Sequence, residues 1–149
     1  MAKLDVSGFG KVAALIIAIA FLASVLADQL IYGPIAARKL SELDMMLAQI
    51  GPPSRALRHD CYRTSSPHRA LAGCSYTSND GQTSIVAHYD RSFAAIGWHP
   101  CQADSTNDKA VVQRRYCGGS DVQAVVSWGR EGTELEGTMR VEFIWGRLL

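Results

Sequence analysis

The sequence predicts an α+β protein tethered to a membrane. The expected order is an N-terminal single transmembrane helix, an amphipathic juxtamembrane helix, and a small two-layer domain in which one helix covers an antiparallel sheet. Three observations carry this reading. Val12–Ala27 is apolar except for Ser24. The four cysteines, Cys61, Cys74, Cys101 and Cys117, all follow that run and none lies within it. The second half of the chain alternates apolar and polar residues with a period of two, around one stretch of helical spacing.

The apolar run continues past Asp28 and Gln29 into Leu30, Ile31 and Tyr32. At helical rise Val12–Tyr32 is about 31 Å long, close to the hydrocarbon thickness of a bilayer, whereas Val12–Ala27 alone reaches only about 24 Å. Residues 12–32 are therefore the expected span, with residues 1–11 as a cytoplasmic N-terminus. Asp28 then sits near the far headgroups and Tyr32 serves as an interfacial aromatic. Lys3, Lys11 and Val25-Leu26-Ala27 would also suit a cleaved signal peptide. The run leads into a further apolar segment rather than a polar start, which favours a retained anchor. Lys3 and Lys11 before the span balance Arg38 and Lys39 after it, so charge does not orient the helix.

The cysteines orient it. An even number confined to one side points to two disulfides in an oxidising compartment. Sequential pairing, Cys61–Cys74 and Cys101–Cys117, closes loops worth roughly 3 kcal/mol each. The expected location is thus the inner membrane, single-pass, with the C-terminal domain in the periplasm. A metal site is the sharper alternative, because His59-Asp-Cys61 and His99-Pro-Cys101 repeat an H-x-C pattern. The short C-x2–4-C knuckles of zinc sites are missing from the sequence. No cofactor is expected.

Residues 33–54 form the juxtamembrane helix and linker. Gly33-Pro34 punctuates the apolar helix, and a second helix runs from Pro34 to Ile50, kinked from the first or continuous with it. Leu40, Leu43, Leu47 and Ile50 share one face, with Met46 at its edge. That stripe could pack on the chain's own domain, on lipid, or on a partner helix. Gly51-Pro52-Pro53-Ser54 ends it.

Residues 55–149 form the expected disulfide-stapled domain. Arg55–Thr64 and Ala70–Thr77 read as strands around Ser65-Ser66-Pro67-His68, and Ser78-Asn79-Asp80-Gly81 as a turn. Ile85, Tyr89, Phe93 and Ile96 recur at helical spacing over Thr83–Ile96, with Gly97 as the stop and Trp98 closing the core. Ala110–Cys117, Val122–Trp128 and Thr138–Trp145 complete a three-strand meander with one apolar face. The segment carrying His99, Asp104 and Asp108 reads as a loop.

Chemistry is sparse. A net charge of +1 with mixed signs offers no basic stripe for nucleic acid. Arg114-Arg115 reads as a solvated edge pair whose members point to opposite faces. His88-Tyr89-Asp90 on a helix is no acid–base pair, because adjacent helical residues do not face one another. Gly118-Gly119-Ser120 resembles a phosphate-cradling turn only weakly, and Glu131, Glu134 and Glu136 read as solvated or as weak cation ligands. Catalytic and metal residues are therefore not assigned.

The apolar helix, its amphipathic continuation and the disulfide-bearing antiparallel sheet together resemble a type IV pilin or pseudopilin. Gly8-Phe9 is similar to the prepilin cleavage junction, although Ala13 stands where that family carries a Glu. The resemblance implies a pilin-like subunit. The leading expectation is a non-catalytic, membrane-anchored accessory or assembly subunit of a larger bacterial membrane complex, which could be energy-transducing, photosynthetic, secretory or of the envelope. Its partners would be the lipid bilayer and other membrane-protein subunits. Contacts would run through Ala20, Ser24, Asp28, Tyr32, Leu40, Leu43, Met46 and Leu47. A periplasmic ligand- or peptide-binding module on an anchor is the alternative, and only that reading calls for a small-molecule ligand.

Overall fold

The computed structural model describes residues 6–108, 110–119 and 121–146, with side chains for 11–101, 110–119 and 121–146. The elements are α1 (Val6–Ile50), β1 (Leu57–Ser66), β2 (Arg69–Thr77), α2 (Gln82–Ala95), β3 (His99–Asp108), β4 (Val111–Cys117), β5 (Val122–Gly129) and β6 (Thr138–Trp145). The protein is mixed α+β: a long apolar N-terminal helix and a small antiparallel sheet with a second helix.

The two helices expected on either side of Gly33-Pro34 are a single helix of 45 residues, about 68 Å long. Pro34 removes one amide donor from the ladder, and a helix tolerates this when packing elsewhere holds it in place. Here the C-terminal half supplies that packing. Ala36, Leu43 and Ile50 are buried, and Leu40, Met46 and Leu47 pack partly buried against the same core. Positions 36, 40, 43, 47 and 50 alternate steps of four and three, the narrow seam of a coiled coil, but this seam meets a sheet. The helix stops at Gly51, which takes a left-handed φ of 63° while its amide donates to the Leu47 carbonyl at 3.2 Å. Pro52 and Pro53 prevent continuation.

The six strands form one antiparallel sheet in the order β1-β2-β6-β5-β4-β3. The β1–β2 hairpin joins the β3–β6 meander through the β2–β6 pair, which bonds in unbroken register from Ala70↔Trp145 to Thr77↔Thr138. Two cross-strand rows show how the covered face is filled, the first of them alternating small and large side chains. One runs Ala72, Phe143, Ala124, Tyr116 and the next Cys74, Val141, Val126, Arg114. The alanines let helices approach closely, and the rings between them fill the space beneath. Both α1 and α2 contribute to this core, so the sheet is covered by two helices rather than the single one expected. The packed unit accordingly begins near Ala36, ahead of residue 55.

Helix α2 buries Ile85, Tyr89 and Phe93, one turn apart on one face. Phe93 stacks on Tyr116 with ring centroids 4.0 Å apart and lies 5.8 Å from Phe143. Its end is a Schellman motif. The Trp98 amide donates to Phe93 O at 2.9 Å and the Gly97 amide to Ala94 O at 3.0 Å, with Gly97 at φ 77°. Trp98 then turns back over Gly118, where any Cβ would fall 1.9 Å from the indole nitrogen.

β3 lies where a loop was expected. His99–Asp108 is polar, contains Pro100 and lacks the alternation that marks a half-buried strand. It pairs only with β4, and its register slips three times, which is how an edge strand accommodates proline and avoids further pairing. Both sequential disulfides are present. Cys61–Cys74 ties β1 to β2, and Cys101–Cys117 ties β3 to β4, at Cα separations of 4.1 and 5.6 Å. Each bridge thus fastens an edge strand to its inner neighbour.

If α1 is part of the core, Leu43→Ala should lower the unfolding free energy by about 2–5 kcal/mol, whereas Ile17→Ala, on the exposed half, should leave it unchanged. Denaturant titration in detergent followed by tryptophan fluorescence reads both. The double variant Cys101→Ser, Cys117→Ser should cost roughly 3 kcal/mol by the same measurement.

Candidate functional site

The N-terminal half of α1 carries the apolar surface. Its most apolar stretch has a mean hydropathy of 2.3, is not buried at all, and is long enough to cross a membrane. Ile17 is 70% exposed, and Leu30 77%. Ala20, Ser24, Asp28 and Tyr32 follow one another four residues apart, and this ridge continues into Ala36 and Leu40. Ser24 donates its hydroxyl to the Phe21 carbonyl at 2.7 Å, so it presents a small, satisfied surface. Leu40, Leu43, Met46 and Leu47 face the chain's own sheet. Of the eight residues expected at a partner interface, these four pack within the chain and Asp28 and Tyr32 meet His68 of the β1–β2 turn, which leaves Ala20 and Ser24 exposed.

Polar pairs fix the helix to the domain along its length. His68, in the β1–β2 turn, bonds Asp28 through Nε2 at 2.9 Å, and its ring lies 4.3 Å from that of Tyr32. Lys39 bridges Glu42 at 3.1 Å and Asp121 at 3.3 Å, and Trp145 donates its indole N–H to the same Asp121 at 3.0 Å. Arg63 on β1 pairs with Asp44 at 2.8 Å. Glu42, with Asp121 behind it, raises the Lys39 ammonium above its usual range against an opposing desolvation. Each pair is part-exposed and worth at most about 1 kcal/mol, so their role is to fix the rotation and register of a helix that apolar burial holds. Between the His68 turn, the end of β6 and α1 lies an open pocket of about 760 Å³.

A second polar node sits under α2. Asp90 accepts from Arg114 at 2.8 and 3.0 Å and from the Tyr116 hydroxyl at 2.7 Å. Arg114 is therefore not a solvated edge residue. β4 lies inside the sheet, and Arg114 points to the helix-covered face, where the α2 carboxylate meets it. Burial, reinforced by Asp90, pushes the Tyr116 phenol well above its ordinary range, while Arg114 acts in the opposite direction. Burial does the same to Tyr89, with Tyr76 and Tyr116 adding to it. On the opposite face Tyr62 lies across Gly73, where a Cβ would come within 2.8 Å of the phenol, and donates to Glu142. Its phenol is raised by burial first and by Glu142 second. All three tyrosines are neutral donors or apolar fillers, and none is poised to lose a proton near neutral pH.

The remaining candidates do not converge. The two H-x-C patterns lie on β1 and β3, the opposite edges of the sheet, with their cysteines in separate disulfides. His59 bonds Thr77 at 2.8 Å, and His88 lies 3.4 Å from the Gly51 carbonyl. Among the described residues no group of three or more His, Cys, Asp or Glu could hold a metal. The side chains of Asp104 and Asp108, and Ser120 of the Gly118-Gly119-Ser120 turn, lie outside the described residues. Glu136 accepts the Gly132 amide at 2.8 Å, closing its own loop, and Glu131 and Glu134 are exposed. The uncovered sheet face has a shallow groove of about 590 Å³ lined by His59, Ser75, Gln113, Ser127 and Arg140 among others. Apolar side chains such as Val111, Leu135 and Met139 share the lining with these polar groups.

The pairing of Asp28 with His68 had no signal in the sequence, where 40 positions separate them. Asp90 with Arg114 is similar: the helical position of one and the strand position of the other can be read, but their meeting depends on how α2 crosses the sheet. Comparison with protein-family models, with curated proteins and with solved structures finds no match to this chain.

The three raised phenols give the domain an alkaline limit. Their folded pKa values exceed the unfolded value near 10, so their contribution is complete below about pH 10 and is lost as pH rises through the folded values. Spectrophotometric titration should show a late group of phenols that includes Tyr62, Tyr89 and Tyr116 and ionises only as the near-UV circular dichroism is lost. Tyr116→Phe should remove one phenol from that late group.

Proposed function

We propose that this chain is a non-catalytic, single-pass accessory or assembly subunit of a larger bacterial membrane complex. In this reading its N-terminus is cytoplasmic and its sheet domain lies in the periplasm, against the inner membrane. The observation that carries it is α1 itself. One half of a single helix is apolar and exposed, and the other half is the core of the domain. A flexible tether would need no such continuity. A helix shared between span and core instead transmits the position of whatever binds the span directly to the sheet. The disulfides support placement of the domain in an oxidising compartment. Ala13, Ala14, Ala18, Ala20, Ala23, Ser24 and Ala27 give the exposed half the small-sided surface that helix–helix contacts in lipid use.

The half-embedded helix also favours the pilin-like reading as the second one. α2, between β2 and β3, and Ala13 depart from that pattern. The two readings differ at the N-terminus. A pilin-like subunit would be cut at Gly8-Phe9 and would polymerise, whereas an assembly subunit keeps its leader and enters a complex of fixed size.

Purification in mild detergent should bring down other membrane subunits with the wild-type chain. Ala20→Leu should reduce that co-purification at least severalfold while leaving membrane insertion intact, as judged by resistance to carbonate extraction. A chain that runs as a lone monomer, with no co-purifying subunit, overturns the proposal. Protein sequencing that starts at Phe9 would turn it toward the pilin-like reading.

A further inference from the structure

The pocket where α1 leaves the domain has a composition unlike the rest of the surface. Tyr32 and Ile35 of the helix form one wall and Trp145 the other, with Ser66, His68 and Arg69 of the β1–β2 turn at the mouth. The walls are predominantly apolar, and the polar groups gather on one side. The turn is held over the pocket by the His68–Asp28 bond and by Gly146, where a Cβ would fall 2.3 Å from the His68 carbonyl. His68 is engaged by Asp28, and Trp145 directs its N–H to Asp121. Among the described residues that line the pocket, Arg69 is thus the cation at the mouth, with Ser66 beside it. Both residues are exposed.

The position of the pocket names its occupant. The expected span ends at Tyr32, and Ile35 lies three residues further along the same helix, a rise of about 4.5 Å. That interval falls within the headgroup layer, roughly 5–7 Å deep on one side of a bilayer. The pocket therefore opens at the level of the lipid phosphates and glycerol backbones, beside a helix whose exposed apolar surface runs on toward the lipid tails. Resting on the reading of α1 as a span, we infer that the pocket binds an anionic phospholipid. Arg69 and Ser66 hold its phosphate, and Tyr32, Ile35 and Trp145 line the upper part of an acyl chain. The Asp28 carboxylate is engaged by His68 at 2.9 Å and is not among the residues that line the pocket. A retained lipid at this junction would fix the tilt of the domain on the membrane surface.

The test uses the full chain reconstituted in phosphatidylcholine nanodiscs containing a minor fraction of phosphatidylglycerol, with release into detergent and native mass spectrometry. Wild type should retain phosphatidylglycerol over phosphatidylcholine by at least about fivefold, the size of effect a single interfacial cation gives. Arg69→Gln should bring the ratio to its bulk value. Ile35→Trp, which fills the pocket and leaves the charge in place, should remove bound lipid of either kind. Equal retention of the two lipids by wild type, or an unchanged ratio in Arg69→Gln, overturns the lipid site. Displacement of the lipid by millimolar inorganic phosphate would assign the mouth to a soluble anion and overturn it also. Failure of the chain to enter nanodiscs at all would instead overturn the reading of α1 as a span, and the two failures are read in separate steps of the experiment.

Discussion

Everything in this structure depends on α1 being one helix in two environments. From Val12 to Ala27 its side chains are exposed on every side and apolar except for Ser24; from Ala36 to Ile50 one apolar seam is buried against a sheet. Backbone hydrogen bonding is continuous between the two regimes apart from the donor lost at Pro34. The result is mechanical. A domain attached through a loop can reorient freely, but a domain whose core contains the continuing helix follows that helix. The β1–β2 hairpin and the end of β6 are consequently held beside residues 28–35, which would lie at the membrane surface if the exposed half is a span.

The sheet is built to accept such a helix. Ala70 and Ala72 on β2 and Ala124 on β5 give low ground between Phe143, Tyr116 and Trp145, so two helices can lie on one face without separating from it. α2 is a short amphipathic cover whose energetic weight is in Phe93, stacked on Tyr116. α1 supplies the remaining cover with small and aliphatic residues. Only the edges are weakly packed: β1 is exposed along nearly its whole length, and β3 is polar with a slipping register. A disulfide secures each of them to its neighbour, where apolar burial contributes least.

The polar pairs act differently. His68 with Asp28, Arg63 with Asp44, Lys39 with Glu42 and Asp121, and Arg114 with Asp90 are all part-exposed, so none can be a principal source of stability. Three of these four connect α1 to the domain at successive heights. A coiled-coil-like seam on a sheet could slide by one helical turn with little change in buried area. Specific ion pairs make that slip unfavourable, which is their contribution to a defined junction and to the shape of the pocket above it.

Most of the elements were legible in the sequence for simple physical reasons. Period-two alternation located β2, β4, β5 and β6 to within a residue or two, because each has one buried face. Ile85, Tyr89 and Phe93 placed α2, and Gly97 its end, because only glycine takes the left-handed cap cheaply. Cysteine spacing gave the disulfide pairs, since loops of that size suit adjacent antiparallel strands. The apolar run and the leucine stripe of α1 were equally plain. β3 could not be read, because an edge strand held by one neighbour and a disulfide needs no apolar alternation. Nor could the sequence say whether Pro34 breaks the helix, or whether Leu43 faces a partner or the chain's own sheet. Those outcomes depend on whether tertiary contacts compensate a missing hydrogen bond and on which surface lies opposite a seam. The sequence by itself determined which residues are apolar and with what period. Only the tertiary structure decided what each apolar face meets, and which distant charges, such as Asp28 and His68, come together at the junction, because those pairings arise from chain crossings that local propensity does not encode.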